Sequence, residues 1–387
     1  MRYQHTIKAC FTGFIVQAVV NNFAPLLFLV FQSAYGIPLS KITLLITFNF
    51  IVQLLTDLIS AGFIDKIGYR ASIIIAHAFS AAGIICLAVL PELLPDAFVG
   101  LLLAVMLYAI GGGLLEVLVS PIAEACPTDN KESVMSLLHS FYCWGHVGVV
   151  LLSTIFFAVF GTQKWQILAV LWAMIPIING VVFTKVPMYP LVAEDKEQYS
   201  IKQLLGNRIF WLLLLLMICS GASEHSVAQW ASAFAESGLH VSKTIGDLAG
   251  PMFFAICMGA ARVIYGKYGE TIHLNKFIKR SAVLCVFSYL LISLSPFPVL
   301  SLLGCGISGL AVGILWPGTF STAAKRLPQS GTAMFALLAL GGDVGCSIGP
   351  TFVGLVSSSA GGSLSVGILA AIVFPVLLLI GCGRLKD

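Results

Sequence analysis

The residues most able to do chemistry in this 387-residue sequence are a few polar and ionisable side chains inside long apolar stretches. Counted at about 1.5 Å per helical residue from the ends of those stretches, they reach a similar depth of roughly 16 to 24 Å. They are Asn22, Glu116, His146, Glu224 and Asp343. An ionisable group in hydrocarbon is costly, so each should face a polar cavity. We interpret this level as the binding site for a small solute.

These residues and their neighbours suit a neutral, polyhydroxylated solute. Asn, Gln, Glu and His side chains can exchange hydrogen bonds with hydroxyl groups, and the face of an indole ring packs on the apolar face of a sugar. Further candidates of these two kinds are Trp144, His225, Gln229, Trp230 and Trp316. Other interpretations stay open, because Asn22 and Gln229 are equally suited to hydrogen bonds between helices, and Trp316 to packing.

Three of the candidates could also bind a coupling ion. A buried carboxylate is costly unless it is protonated or paired, and histidine exchanges protons near neutral pH, which makes Glu116, Glu224 and His146 candidates for proton coupling. A carboxylate can equally hold Na⁺ together with carbonyl oxygens. Asp57 and His77 also lie in apolar stretches. We expect these two to make contacts between helices rather than to bind solute.

The amino-acid composition shows which solvent surrounds the helices that carry these residues. Hydrophobic residues make up 58% of the chain and charged residues 10%, whereas a soluble domain carries about 25% charged residues. The net charge of +4 is modest and there is no basic run, which disfavours a nucleic-acid partner. The ten cysteines show no pairing or ligand spacing, so we expect no resident metal or cofactor. The solvent of most of this chain is lipid.

About 20 apolar residues cross a bilayer as a helix, and the sequence contains twelve such runs. They are 9–33, 42–63, 71–90, 97–124, 133–160, 164–185, 209–235, 244–265, 274–294, 297–324, 330–357 and 360–382. The long polar interruption at 186–208 separates six runs from six. We therefore predict an all-α membrane protein with an N-terminal six-helix bundle at 1–185, a cytoplasmic linker at 186–208 and a C-terminal six-helix bundle at 209–387.

Two short patterns recur half a chain apart. The sequence at 61–70 resembles that at 262–269, and the sequence at 36–41 resembles that at 238–243. The offsets are nearly equal, which predicts a duplicated half and two pseudo-symmetric bundles, as in many transporters.

Basic residues predict the orientation of the chain in the membrane. Of the 21 Lys and Arg residues, all but Lys41, Lys164 and Lys243 fall on the side that carries both termini. Short cytoplasmic loops are enriched in Lys and Arg. We therefore predict that both termini are cytoplasmic.

The pattern Asp65-Lys66-x-Gly68-x-Arg70 lies between the second and third runs. Together with twelve helices arranged as six and six, and a central cytoplasmic loop, it resembles the major facilitator superfamily. The resemblance implies that Asp65, Lys66 and Arg70 form a latch between the halves on the cytoplasmic side. Positive loop charge alone explains the two cations but neither Asp65 nor Gly68.

Within that superfamily, the glycines before Glu116 and the proline five residues after it resemble the branch of fucose–galactose–glucose proton symporters and sodium-dependent glucose transporters. This resemblance implies that Glu116 handles protons and substrate. The proton symporters have an acid in the first helix, where this sequence has Asn22.

The function predicted from these observations is secondary active transport of a small polar solute, a monosaccharide, by alternating access with H⁺ or Na⁺ coupling. We expect a monomer in a bacterial inner membrane. The alternative is a proton-driven exporter of drugs or metabolites with the same fold, which the many aromatic residues favour. A non-transporting sensor or an intramembrane enzyme is a third class, but the sequence lacks motifs such as His-Glu-x-x-His and Gly-x-Ser-x-Gly, so we predict no enzymatic activity.

Overall fold

The structure, a computed structural model, describes the backbone of residues 2–128, 131–189, 201–268, 273–327 and 331–385. Within these ranges it describes all side chains except those of 61–63, 65, 131–133, 136, 201, 266–268, 331–333 and 335. The described residues form helices and connecting turns, with no strand. Twelve helical segments are long and apolar enough to cross a membrane, which confirms the twelve predicted spans.

The first six spans are Tyr3–Asn22 with Phe28–Tyr35 (span 1), Leu39–Ile67 (span 2), Tyr69–Leu93 (span 3), Ala97–Glu124 (span 4), Lys131–Phe160 (span 5) and Trp165–Lys185 (span 6). The other six are Arg208–Ala228 with Ala231–Ala233 and Phe234–Gly238 (span 7), Lys243–Asp247 with Leu248–Met252 and Phe253–Tyr268 (span 8), Leu274–Leu294 (span 9), Pro298–Val312 with Leu315–Arg326 (span 10), Gly331–Ser359 (span 11) and Leu364–Ala370 with Val373–Arg384 (span 12).

Side-chain caps and glycines set the ends of these helices. The Asp96 carboxylate accepts a hydrogen bond from the Phe98 amide at 2.9 Å where span 4 begins. Asn207 does the same for the Ile209 amide at 2.8 Å where span 7 begins. Gly68 separates spans 2 and 3 with a φ of 84°, a conformation that favours glycine.

The N-terminal compact unit, Met1–Ala193, contains spans 1 to 6. Span 4 packs on spans 1, 2 and 3. Its residues Leu115 and Val119 contribute to a buried core that also contains Phe14 and Val16 of span 1. This packing holds the polar residues of span 4 beside spans 1 and 2.

The C-terminal compact unit, Glu194–Asp387, contains spans 7 to 12. Span 7 packs along span 11 and also contacts spans 10 and 12. Much of the predicted linker, residues 190–200, lies outside the described residues, and the short helix Ile201–Leu205 occupies part of the remainder.

Spans 1, 7 and 10 are interrupted near their polar residues. Span 1 changes to a 3₁₀ turn at Ala24–Leu27, directly after Asn22. Span 7 breaks at Gln229 and Trp230. Span 10 breaks just before Leu315, one residue ahead of Trp316. A broken helix frees backbone groups, which membrane proteins tolerate where those groups are buried in protein or line a cavity.

Close packing of spans 7 and 11 requires glycine at position 345. A Cβ atom there would lie against the Ile218 carbonyl oxygen and the Ala222 amide. We expect Gly345→Ala to lower the free energy of unfolding by about 1–3 kcal/mol, because backbone cannot move aside as a flexible side chain can. Thermal unfolding of the purified protein in detergent measures this effect.

The matched control for that substitution is Gly148→Ala in span 5, where the added Cβ has no neighbour within 4 Å. This variant should unfold at or slightly above the wild-type temperature, because alanine favours helix over glycine. Equal unfolding temperatures for the two variants would contradict the close approach at Gly345.

Candidate functional site

In the N-terminal unit, the predicted site residue Glu116 is held by span 1. The side-chain amide of Gln17 donates a hydrogen bond to Glu116 Oε2 at 2.8 Å. Gln17 is only 3% exposed, and its other polar atom, Oε1, is buried with no hydrogen-bond partner in the part of the chain that the structure describes. The carboxyl of Glu116 is therefore anchored by a neutral amide.

A second carboxyl lies beside Glu116. Asp57 of span 2 packs against span 4 at Gly113, one helical turn before Glu116. It fits against Gly113, where a Cβ atom would lie 2.8 Å from Asp57 Oδ1. That oxygen is buried and, among the described residues, accepts no hydrogen bond. The sequence predicts a helix-contact role for Asp57, and the structure places it next to a predicted site residue.

Neutral amides continue this polar cluster along spans 1 and 2. The Gln53 amide donates to Asn21 Oδ1 at 2.7 Å and to Asn49 Oδ1 at 3.1 Å. All three side chains are buried. Asn22 donates to the Ala18 carbonyl at 2.9 Å and approaches the Tyr142 hydroxyl at 3.4 Å. The amide nitrogen of Asn22 thus serves helix contacts in this structure, as one of the two sequence interpretations expects.

The two candidates from span 5 lie on different faces of that helix. His146 is 2% exposed, whereas Trp144 is 47% exposed. Residues two positions apart in a helix are separated by about 200° of rotation, so the side chains of Trp144 and His146 point in nearly opposite directions. Among the described residues, Trp144 makes no hydrogen bond or ring contact that would bring it to Glu116 or Asn22.

His77 of span 3 makes the helix contacts that the sequence predicts. One ring nitrogen lies 2.7 Å from the Ile73 carbonyl and the other 2.8 Å from the Asn179 amide of span 6. Asn179 also donates to the Ala9 carbonyl of span 1 at 3.0 Å. These bonds connect spans 1, 3 and 6.

In the C-terminal unit, Glu224 is neutralised by a base. Arg262 of span 8 forms an ion pair with it at 3.3 Å, with the carboxylate side chain 7% exposed and the guanidinium side chain 19% exposed. His225, the next residue of span 7, is also buried. Arg262 is not among the predicted site residues, since the sequence shows it only as a basic residue near a span end. Glu224 and Glu116 therefore differ in partner, one bound to a cation and the other to an amide.

Gln229 and Trp230 lie at the break in span 7, and both are buried. The Trp230 indole N–H donates to the Pro350 carbonyl of span 11 at 2.9 Å. The Tyr289 hydroxyl of span 9 donates to the Ser223 carbonyl at 2.7 Å. These hydrogen bonds join span 7 to two neighbouring spans, so the indole of Trp230 has a structural role in this structure.

The structure brings together the candidates of spans 10 and 11. The Trp316 ring packs over Gly342, where a Cβ atom would clash with it, and Asp343 is the next residue. Trp316 also meets Phe320 edge to face, with ring centroids 6.3 Å apart. Trp316 and Asp343 are each half-buried. A half-buried aromatic ring packed on the residue before an aspartate can contact the apolar face of a solute.

Comparison with known proteins decides the family. The model of the Major Facilitator Superfamily matches residues 9–350. The chain belongs to the Major Facilitator Superfamily. No curated protein matches the chain. Members of this superfamily and the matched structures are transporters, not enzymes, so the predictions of family, fold and absence of enzymatic activity are confirmed. As a member, the chain sits in a lipid bilayer and binds a small-molecule substrate.

Solved structures of superfamily members share the fold at low identity. The fucose:proton symporter of E. coli aligns with 100% of both chains at 16% identity and a TM-score of 0.68. A D-xylose-proton symporter aligns over 98% of this chain and 95% of its own at 13% identity, with a TM-score of 0.78. A bacterial homologue of the human lysosomal transporter Spinster aligns over 98% and 96% at 13% identity, with a TM-score of 0.77. These likenesses establish the superfamily fold.

The superfamily loop motif is only partly described. Arg70 donates three hydrogen bonds, at 2.7, 3.0 and 2.8 Å, to carbonyl oxygens at the C-terminal end of span 6. Cations stabilise such ends because the last carbonyls of a helix lack partners within the helix. Lys66 is exposed, and the side chain of Asp65 lies outside the described residues. The predicted latch role of all three residues stays a prediction.

Several polar residues of the N-terminal cluster are absent from the sequence prediction, although the sequence carries a signal for them. Gln17 and Asn21 are four residues apart, and Asn49, Gln53 and Asp57 continue at intervals of four. Residues at this spacing share one face of a helix. A polar stripe within an apolar run indicates an inward-facing polar surface even when its members are neutral.

Proposed function

We propose that this transporter moves a monosaccharide by alternating access, driven by co-transport of protons. The observation that carries the proposal is the hydrogen bond from Gln17 to Glu116. A carboxyl bound to a neutral amide can gain and lose a proton without breaking an ion pair. Glu224 differs, because protonation would remove its attraction to Arg262. Of the two glutamates predicted to couple ions, we assign proton coupling to Glu116.

Each half of the chain contributes its own set of proposed solute contacts. In the N-terminal half, Asn22, Glu116 and His146 would exchange hydrogen bonds with hydroxyl groups. The C-terminal half would contribute the polar residues of span 7 and the adjoining residues of spans 10 and 11. These are Glu224, His225, Gln229, Trp230, Trp316 and Asp343. Trp144 is the weakest member of the predicted set, because it is half exposed on another face of its helix.

The similarity to fucose:proton and D-xylose-proton symporters supports a sugar as substrate, although identities of 16% and 13% establish the fold alone. We also propose the bacterial inner membrane as the location, a monomeric state and cytoplasmic termini. The charge distribution of the sequence supports that orientation.

The test of this proposal is uptake of labelled monosaccharides into proteoliposomes under an imposed pH gradient or an imposed Na⁺ gradient. We expect saturable accumulation of one sugar with the pH gradient and none with the Na⁺ gradient. Accumulation with Na⁺ alone would leave the sugar proposal standing and overturn proton coupling. Absence of sugar uptake together with proton-driven efflux of amphiphilic dyes would favour the exporter function instead.

A further inference from the structure

Two hydrogen-bond acceptors of the N-terminal polar cluster have no donor in the described part of the chain. Gln17 uses its amide nitrogen on Glu116, which leaves Gln17 Oε1 without a donor. Asp57 Oδ1, from span 2, is also buried without a donor in the described part of the chain. A buried acceptor without a partner costs about 1–3 kcal/mol. Two such oxygens, from spans 1 and 2, on residues that contact span 4 at Glu116 and Gly113, indicate that the cluster takes up a donor from outside the chain.

In the part of the chain that the structure describes, no basic side chain is ion-paired with this cluster. Neither Asp57 nor Glu116 forms an ion pair with a Lys or Arg among the described residues. Titratable groups along the middle of spans 1, 3 and 5 include Cys10, His77, His139, Tyr142 and His146. Among the described residues, the hydrogen bond to Glu116 comes from Gln17, a neutral amide. Two neighbouring carboxylates in such surroundings cannot both be ionised at low cost.

The geometry points to a proton site made of both carboxyls. We propose that Asp57 and Glu116 share one proton, and that Asp57 supplies from span 2 the second acid that the related proton symporters carry in span 1, where this chain has Asn22. This inference rests on the proposed proton coupling. The proton comes from water on the side to which the site is open. It forms an O–H bond with one carboxyl oxygen and removes one negative charge from the pair. The new O–H group donates a hydrogen bond to one of the acceptors that had no donor before.

Glycine at position 113 makes this pair possible. It lies one helical turn before Glu116, and a Cβ atom there would lie 2.8 Å from Asp57 Oδ1 and 2.9 Å from the Gln53 carbonyl oxygen. Any larger residue would push Asp57 away from span 4. Oxygen atoms also bind Na⁺, so Na⁺ is the alternative ligand of this site, and the titration described below distinguishes the two ions.

The experiment is infrared difference spectroscopy of the reconstituted protein during a pH titration, without any sugar. The carbonyl stretch of a protonated carboxyl reports proton uptake directly. We expect wild type to show one titrating carboxyl band. The midpoint of that band should move to lower pH both in Glu116→Gln and in Asp57→Asn, because the acid that remains no longer has a like-charged neighbour. Asp57→Glu should keep a shared-proton band.

Two further variants secure the interpretation. Gly113→Ala keeps both carboxyls and separates them, so its midpoint should move in the same direction as that of Asp57→Asn. Asp96→Asn removes a carboxylate at the other end of span 4, where asparagine caps a helix equally well, and should titrate as wild type does. If Asp57→Asn does not fold, Asp57→Glu and Gly113→Ala decide the outcome.

An unchanged titration midpoint in Asp57→Asn and Gly113→Ala would overturn the shared site. A band that responds to Na⁺ but not to pH would overturn it in favour of a sodium site. Because the titration uses no sugar, its outcome is separate from that of the uptake assay. A protein that takes up no monosaccharide can still show the shared proton, and a proton-driven sugar transporter can still lack it.

Discussion

Glu116→Gln should abolish concentrative uptake of the transported sugar while leaving exchange of sugar across the membrane. Glutamine keeps the shape of the side chain and can still bond to Gln17, but it cannot bind and release a proton. Without proton release, the gradient no longer biases the inward and outward states, although the solute can still cross. Uptake under a pH gradient and counterflow with preloaded sugar, measured on the same proteoliposomes, separate the two activities.

The matched control is Glu92→Gln at the end of span 3. Glu92 is exposed and accepts a hydrogen bond from the Tyr35 hydroxyl at 2.6 Å, away from the polar cluster. This variant should accumulate sugar as wild type does. Normal accumulation of sugar by Glu116→Gln would contradict the assignment of proton coupling to this residue.

Arg262→Met should destabilise the C-terminal half by about 3–5 kcal/mol, because it leaves Glu224 buried without its cation. The pair is well removed from solvent, with side chains 19% and 7% exposed, so water screens it little. Thermal unfolding in detergent at neutral pH measures the change. A loss of this size is large compared with the marginal stability of most proteins.

The double variant Glu224→Gln with Arg262→Met provides the control. It removes both charges, so it should recover most of the stability lost by Arg262→Met, since the principal cost is the unpaired carboxylate. Equal unfolding temperatures for wild type and Arg262→Met would show that the ion pair contributes little. A double variant no more stable than Arg262→Met would point to lost packing of the long arginine side chain instead.

The twelve spans could be predicted from the sequence because a run of about 20 apolar residues is long enough to cross a bilayer as a helix. The predicted run 9–33 and the observed span 1 agree closely even though that span changes geometry after Asn22. Hydropathy responds to composition along the chain, and a local 3₁₀ turn does not alter composition. The interruptions of spans 1, 7 and 10 therefore left no signal in the hydropathy pattern.

The candidate site could be predicted only in part, because depth along a helix says nothing about the direction around it. Trp144 and His146 have nearly the same depth, yet one is half exposed and the other buried. Arg262 illustrates a second limit. A basic residue near the end of an apolar run is typical of a cytoplasmic loop, but its long side chain can turn inward to a carboxylate 38 residues earlier in the chain.

Asp57 shows how much the neighbours of a residue decide its role. In the sequence it is an isolated acid near the end of a span, for which helix contact is the simplest interpretation. In the structure, Gly113 leaves room for it one helical turn before Glu116, and among the described residues neither carboxyl is ion-paired with a Lys or Arg. A small residue on one helix and an acid on another become related only when both helices are packed together.

The most direct test of proton-coupled sugar transport is the pH change that accompanies sugar entry. Proteoliposomes without any gradient are given the transported sugar, and the pH of the weakly buffered medium is followed. We predict alkalinisation of the medium on addition of sugar, because each transported molecule would carry a proton inward, and no such change with Glu116→Gln. Entry of labelled sugar into wild-type proteoliposomes without alkalinisation would contradict the central claim.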